Sequence, residues 1–138
     1  MKRVIGLTLS LILILTYSSL LSQETDKSGE PGFFVMSYNK VQMGEISKVN
    51  ALFDSITVPI LDELKSEGKL LGFGQLNHFW GDDWNVNVYY VTEDHASFVV
   101  FWDEFTKRIS EKHPGAFLKI ASYFQAHKDN MYSIRHME

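Results

Sequence analysis

The stretch LLGFGQLNHFWGDDWNVNVYYV, residues 70–91, decides the fold because it contains two strand-like runs separated by a turn signal. The turn signal is Gly81, Asp82 and Asp83, and both flanks are rich in β-branched and aromatic residues, which is typical of a β-hairpin. Histidine, tryptophan, asparagine and tyrosine are also concentrated here. The stretch therefore predicts a pair of antiparallel strands that carry a candidate site.

The pairing register of this hairpin decides which side chains share a face of the sheet. With a loop of residues 81–84, Trp80 pairs with Asn85, and the polar and aromatic side chains lie together. With a loop of residues 81–83 the register shifts by one, and His78 joins the valines of the apolar face. We favour the first register because it keeps the imidazole near polar partners. The shared face then holds Leu76, His78, Trp80, Asn85, Asn87 and Tyr89.

The favoured register predicts a small-ligand pocket, since a few polar groups among aromatic side chains suit a flat aromatic ligand. Ordinary subunit contacts explain the same composition, and both interpretations can hold together. His78 is the candidate catalytic residue, as a general base near neutral pH, with a hydrogen-bonded structural histidine as the alternative. The candidate ligand-binding residues are Tyr38, Leu76, His78, Trp80, Asn87 and Tyr89.

The segment before the hairpin predicts one strand and one long helix. Residues 33–38, FFVMSY, are apolar on both faces and predict a strand in the centre of a sheet. Residues 45–67 have apolar side chains at helical spacing, and Gly68 is a natural stop. Pro59 has no N–H to donate, so we expect the helix to kink or restart there.

The segment after the hairpin predicts two helical pieces and a last strand. Thr92 or Asp94 can cap a second helix that ends near His113. A third helical piece is expected over residues 114–127, because its apolar residues recur on one face. Residues 131–136 alternate as in a strand at the edge of a sheet. Three side chains near this end, those of His127, Asp129 and His136, are expected at the surface.

The resulting order, β-α-β-β-α-(α)-β, predicts an α+β protein of ferredoxin-like architecture with an extra C-terminal helical piece. Its four-stranded antiparallel sheet has helices on one face only. Strands this apolar need a second layer on the other face, which predicts a homodimer formed sheet to sheet.

The chain resembles the dimeric α+β barrel superfamily, which includes antibiotic-biosynthesis monooxygenase-like and NIPSNAP-like proteins. The resemblance is carried by residues 38–44 (YNKVQMG), the long helix with Pro59, residues 68–72 (GKLLG) and residues 88–90 (VYY). It extends from about residue 33 to the end of the chain. It implies the fold and a dimer, and it assigns no family within the superfamily.

The resemblance implies three functions, which the residues leave open. The first is a ligand-binding or structural protein, and the second is a monooxygenase-like enzyme that needs neither metal nor organic cofactor. The third is a haem-binding or haem-degrading protein, because haem-degrading members use a histidine of the second helix with an asparagine and a tryptophan. Several residues match that set: His95 or His113, Asn39 or Asn87, and Trp84 or Trp102.

The N-terminus predicts a secretory signal peptide, residues 1–22, with a basic start followed by an apolar run. An uncleaved anchor over residues 4–21 is the alternative. Residues 23–32 (QETDKSGEPG) predict a flexible spacer, and residues 33–138 one folded domain. We therefore expect a secreted or periplasmic protein.

The composition excludes some partners and cofactors. The net charge of −4 becomes more negative by two if Lys2 and Arg3 are removed with the signal peptide, which argues against nucleic acid and anionic membrane surfaces. The chain has no cysteine, so buried apolar area has to stabilise it. Paired carboxylates such as Asp82 and Asp83 are typical turn formers, and zinc-ligand spacing is missing, so no metal is predicted.

Overall fold

The computed structural model describes residues 32–78, 80–81 and 83–136. The predicted signal peptide, and the spacer apart from Gly32, lie outside these ranges. Within them, no helix has both the length and the apolar character that crossing a membrane requires.

The fold is built on one four-stranded antiparallel sheet with the strand order β2-β3-β1-β4. The strands are β1 (Phe33–Val41), β2 (Gly72–Asn77), β3 (Val86–Thr92) and β4 (Phe124–Ser133). The central position of the first strand and the edge position of the last are both as predicted. Together with the helices on one face, this order confirms the ferredoxin-like α+β fold.

Four α-helical segments connect these strands. They are α1 (Ile46–Leu52), α2 (Val58–Ser66), α3 (His95–Lys112) and α4 (Ala116–Ala121). A 3₁₀ turn, Met43–Glu45, precedes α1, and a π-helical turn, Phe53–Thr57, joins α1 to α2.

The π-helical turn confirms the predicted break next to Pro59. Proline cannot donate a hydrogen bond to the carbonyl of Ser55, so the regular helical pattern is interrupted. The Val58 N–H instead bonds to the Phe53 carbonyl, five residues earlier. Pro59 then lies in the first turn of α2, where a missing donor is tolerated.

The boundaries of α3 confirm the predicted cap and stop. The Asp94 carboxylate accepts a 2.7 Å hydrogen bond from the Ser97 N–H. The other candidate cap, Thr92, donates its hydroxyl to the Asp94 carbonyl at 2.9 Å. The helix ends at Lys112, and His113 follows it.

Two predicted boundaries in the C-terminal segment are wrong. The third helical piece ends at Ala121 instead of continuing to residue 127, and β4 begins at Phe124 instead of residue 131. The reason is pairing with β1, whose residues from Phe33 to Val41 all have partners in β4. These ladder hydrogen bonds outweigh the local helical spacing of the apolar residues.

The two faces of the sheet differ in their cover. We call the face covered by helices the helix face. Its side chains Val35, Val88 and Tyr90 are buried against α2 and α3. Phe101 and Phe105 of α3 are among the most buried side chains of the core. The opposite face, here the open face, has no cover in the described part of the chain. The predicted one-sided packing is thus confirmed.

Candidate functional site

The hairpin register differs from both predicted alternatives. Leu76 lies opposite Asn87, Asn77 lies opposite Val86, and the His78 N–H donates to the Asn85 carbonyl at 2.9 Å. The predicted pairing of Trp80 with Asn85 is therefore wrong by two residues, because the loop is longer than the turn signal suggested. A shift of two preserves the faces, so the predicted common face of Leu76, Asn87 and Tyr89 is correct.

Four of the six predicted ligand-binding residues share the open face, namely Tyr38, Leu76, Asn87 and Tyr89. The other two lie beyond the end of β2. His78 is half-buried there, and Trp80 is 89 % exposed. The structure thus brings together only part of the predicted set, and a catalytic role of His78 stays a prediction.

The open face is largely aromatic. Tyr89 stacks on Phe34 with ring centroids 5.7 Å apart, and the Phe34 and Tyr132 centroids are 6.0 Å apart, so one row of rings crosses three strands. Gly74 makes this row possible, since a Cβ there would lie 2.6 Å from the Tyr89 ring. An aromatic sheet face of this kind suits packing against another sheet.

A cavity of about 450 Å³ lies between the helix face and the helices; we call it the helix-side cavity. Much of its wall is apolar and aromatic. These side chains include Val49, Phe53, Trp102, Phe105, Phe117 and Phe124. Its polar lining includes Ser37, Asn39, Thr57, Gln75 and His127. None of the six predicted ligand-binding residues is among the described residues that line it.

The π-helical turn contributes directly to this cavity. Phe53 and Thr57, its first and last residues, both line the cavity, and the Thr57 side chain is buried. Turns of this kind frequently occur at functional sites, because they redirect side chains without ending the helix.

A chain of hydrogen bonds between β1 and β4 forms one polar end of the cavity. Asn39 Oδ1 contacts His127 Nδ1 at 2.7 Å, and His127 Nε2 contacts Asp129 Oδ2 at 3.1 Å. The Ser37 hydroxyl donates to Asp129 Oδ1 at 2.5 Å. Both imidazole nitrogens face oxygen atoms, so both contacts are hydrogen bonds only when each nitrogen carries a proton.

The strand register explains why these four side chains meet. Asn39 lies opposite His127, and Ser37 lies opposite Asp129. Asn39 is only 2 % exposed, and its amide group also donates to the Val86 carbonyl at 3.0 Å. The hydrogen-bond partner of the His127 imidazole is therefore a buried amide that the Val86 carbonyl holds in place.

A second polar cluster lies at the β2 side of the cavity. Gln75 Nε2 donates to Asn50 Oδ1 at 2.6 Å and to Asn77 Oδ1 at 3.2 Å. Tyr90 also lines the cavity, from β3, and burial raises the pKa of its hydroxyl, with a smaller contribution from the charge of Asp129. Tyr90 thus contributes an uncharged aromatic group to the cavity.

The sequence reasoning missed the role of the C-terminal histidine. His127 and Asp129 were expected at the surface, and their side chains are indeed 45 % and 42 % exposed. His127 nevertheless lines the cavity. The signal was the alternation of His127 and Asp129, which becomes informative only when β4 is known to begin before them and to pair with β1.

The residues of the cavity do not fit a haem group. The two histidines predicted for that role lie elsewhere: His95 begins α3 and contacts the Phe33 ring, and His113 follows its last turn. His127 does line the cavity, but Asn39 and Asp129 engage both of its nitrogens. Across the described ranges, no three His, Cys, Asp or Glu side chains are grouped so that they could hold a metal ion.

No known protein-family profile and no curated protein matches this sequence. Solved structures with the same fold include a dimeric ferredoxin-like protein from an uncultured marine organism, at 10 % identity and a TM-score of 0.62, which covers 82 % of this chain and 94 % of that one. A NIPSNAP family protein from Agrobacterium tumefaciens is 9 % identical, with a TM-score of 0.56 and coverage of 76 % and 87 %.

A candidate antibiotic biosynthesis monooxygenase from Caulobacter crescentus is 11 % identical, with a TM-score of 0.54, and the match covers 75 % of this chain and 90 % of that one. At such identities the likeness establishes the fold. NIPSNAP and antibiotic biosynthesis monooxygenase proteins, which the sequence was expected to resemble, are thus among the solved structures that share this fold, and no family is assigned.

Proposed function

We propose that this protein binds a small, flat and largely apolar molecule in the helix-side cavity. The observation that carries the proposal is the composition of the cavity wall. About 450 Å³ of partly open space is lined mainly by aromatic and aliphatic side chains, and most of its polar groups lie on β1, β2 and β4 of the sheet. Ligand pockets typically have this size and this ratio of apolar to polar lining.

Packing supports this proposal. Protein interiors are close-packed, and the apolar side chains that line this partly open cavity lack some of the contacts that such packing provides. An aromatic ligand would restore contacts to rings such as those of Trp102, Phe105 and Phe117. A chain without cysteine has no disulfide to offset the loss.

The test is calorimetric titration with biphenyl, a flat apolar probe. The variant Ala121→Trp places a large ring at the cavity wall from the end of α4, and we expect it to weaken binding at least tenfold. The matched control is Ala96→Trp in the first turn of α3, where an exposed alanine lies away from this cavity. If biphenyl does not bind the natural chain, or if both variants bind it equally well, the proposal is wrong.

We also propose that the functional unit is a homodimer that packs the two open faces together. The aromatic row of Phe34, Tyr89 and Tyr132 lies on a face without cover in the described chain, and its exposure would be costly. Similar folds are described as dimeric, among them the protein of the uncultured marine organism. Sedimentation equilibrium of the natural chain should give twice the mass of one chain.

Secretion belongs to the same proposal, and the apolar run after the basic N-terminus supports it. Expression of the full chain in a bacterium, followed by mass spectrometry of the periplasmic fraction, should give a product that begins at Gln23. An uncleaved chain in the membrane fraction would support the anchor instead.

A second candidate function is oxygenation of an electron-rich aromatic molecule in the same cavity. The observation that favours it is the imidazole of His127, which lines the cavity and contacts the Asp129 carboxylate through Nε2, so that a proton can pass between the two groups. Oxygen consumption with a naphthol substrate, lost in His127→Ala and retained in His78→Ala, would support this function. If the loss occurs in His78→Ala alone, catalysis lies at the hairpin instead.

A further inference from the structure

We propose that the helix-side cavity selects a molecule with a hydrogen-bond donor at each of its two ends, such as a flat aromatic diol. This inference rests on the proposed ligand-binding function and specifies the class of ligand. It follows from the position of the two polar clusters on the sheet and from the hydrogen-bond acceptors of each cluster that can face a ligand.

The two clusters lie at opposite ends of one row of residues across the sheet. Gln75 is opposite Val88, Val88 is opposite Ser37, and Ser37 is opposite Asp129. The row spans three strand spacings, about 14 Å between the outer backbones. Gln75, Val88 and Ser37 all line the cavity, so a ligand that lies along this row meets an apolar middle between polar ends.

At the β2 end, Gln75 offers an acceptor. Both hydrogen bonds of its amide nitrogen are directed to neighbours, Asn50 Oδ1 at 2.6 Å and Asn77 Oδ1 at 3.2 Å. An amide nitrogen has two protons, so this set uses its donating capacity. The carbonyl oxygen is then the atom that Gln75 can direct to a ligand, and it requires a donor.

At the β4 end, the groups also offer acceptors. The Ser37 hydroxyl donates its proton to Asp129, which leaves its lone pairs to accept. The Asn39 amide donates to the Val86 carbonyl, and its oxygen faces His127. A ligand hydroxyl in the cavity can therefore donate to Ser37 Oγ, which lines it.

The same groups explain which ligands are disfavoured. An anionic ligand group next to Ser37 would lie near the Asp129 carboxylate that accepts the Ser37 hydrogen bond, and like charges repel. A ligand without donors would leave desolvated acceptors unpaired at both ends, and sites built to hydrogen-bond discriminate strongly against such analogues. The aromatic wall between the ends, with Trp102 and Phe105, favours a flat ring system there.

Three probes of one shape test the inference by calorimetric titration: biphenyl, para-hydroxybiphenyl and para,para′-dihydroxybiphenyl. We expect each hydroxyl to tighten binding about five- to tenfold, the value of one well-placed hydrogen bond. Gln75→Leu and Ser37→Ala should each remove one of the two increments, where each increment is measured relative to biphenyl in the same variant. Biphenyl therefore serves as the internal reference for each variant, and its binding shows that the cavity is present.

The matched controls are Gln42→Leu and Ser133→Ala, which make the same chemical changes at exposed positions outside the cavity lining. They should retain both increments. If all three probes bind equally, the two-ended selection is wrong although the ligand-binding function stands. If no probe binds, both proposals are wrong. The inference also fails if one cavity variant removes both increments, or if neither variant removes an increment, because the two ends of the ligand are then not recognised separately.

Discussion

Asn39 is the residue on which the polar end of the cavity depends. Its amide is buried and connects three strands, because it bonds to His127 on β4 and to the Val86 carbonyl on β3 from its own position on β1. Because Asn39 bonds to both neighbouring strands, it holds the His127 side chain in position and also stabilises the sheet.

Replacement of this residue tests that role. Asn39→Leu should lower the free energy of unfolding by about 1–3 kcal/mol, because it leaves buried polar groups without partners. Urea denaturation provides the measurement, and Gln125→Leu, at an exposed position of β4, serves as the control. A loss no larger than that of the control would show that the network around Asn39 adds no stability.

At the scale of elements, α2 and α3 are joined by a cluster of ion pairs on their exposed sides. Arg108 donates to both carboxylate oxygens of Glu67, at 2.8 and 2.7 Å. Lys112 donates to Glu63 at 2.7 Å. These pairs connect the end of α2 to the last turns of α3, and they therefore make the helix packing sensitive to acid.

The pKa of Glu67 determines the pH range of this effect. Its hydrogen bond with Arg108 lowers its pKa from 4.5 to about 2, with a further contribution from Lys69. A lowered pKa in the folded state stabilises the fold above the unfolded value, and this stability is lost as the pH falls from about 5 towards 2.

The variant Glu67→Gln isolates that contribution. Its melting temperature should lie slightly below that of the natural chain at neutral pH, and the difference should shrink as the pH falls below about 5 and vanish only below pH 2, where the natural carboxyl is also neutral. Thermal melts across this pH range measure it. A difference that stays constant with pH would point to lost packing instead of lost charge.

The N-terminus of α3 makes a second prediction at this scale. Asp94→Ala removes the acceptor for the Ser97 N–H and should reduce the free energy of unfolding by about 1 kcal/mol. Asp94→Ser, which can still cap the helix, should retain most of the stability. Equal losses in the two variants would contradict a capping role.

Elements with local signals could be predicted from the sequence. Asp94 as a cap and the break next to Pro59 follow from the chemistry of single residues, and the structure contains both. The beginning of β4 at Phe124 depends on pairing with β1, some eighty residues earlier in the chain. The candidate site was missed for the same reason, because His127 meets Asn39 only through that long-range register.

At the scale of the whole molecule, the uneven cover of the sheet is the dominant feature. The helix face holds the core and the cavity, and the open face presents a row of aromatic rings. This division separates the proposed ligand site from the proposed dimer contact. Mutations on one face should therefore leave the function of the other largely intact.

The dimer prediction follows from this division. Phe34→Lys places a charge in the aromatic row and should shift the sedimentation mass to that of a single chain, since an unpaired charge is costly in an apolar interface. The control is Val99→Lys, on an exposed position of α3. Dimers that persist in Phe34→Lys would show that the open face is not the contact.

The irregularity in the pairing of β1 with β4 has a consequence for the phase of the last strand. Residues three apart in a regular strand point to opposite faces, yet Phe124 and His127 both line the cavity. The register shift between Lys40 and Val41 accounts for this, because it inserts one surplus residue into β4. The alternation of side chains between the two faces of the sheet is thus reversed at this point of the last strand. Deleting the surplus residue would move the aromatic wall or the imidazole, but not both, out of the cavity.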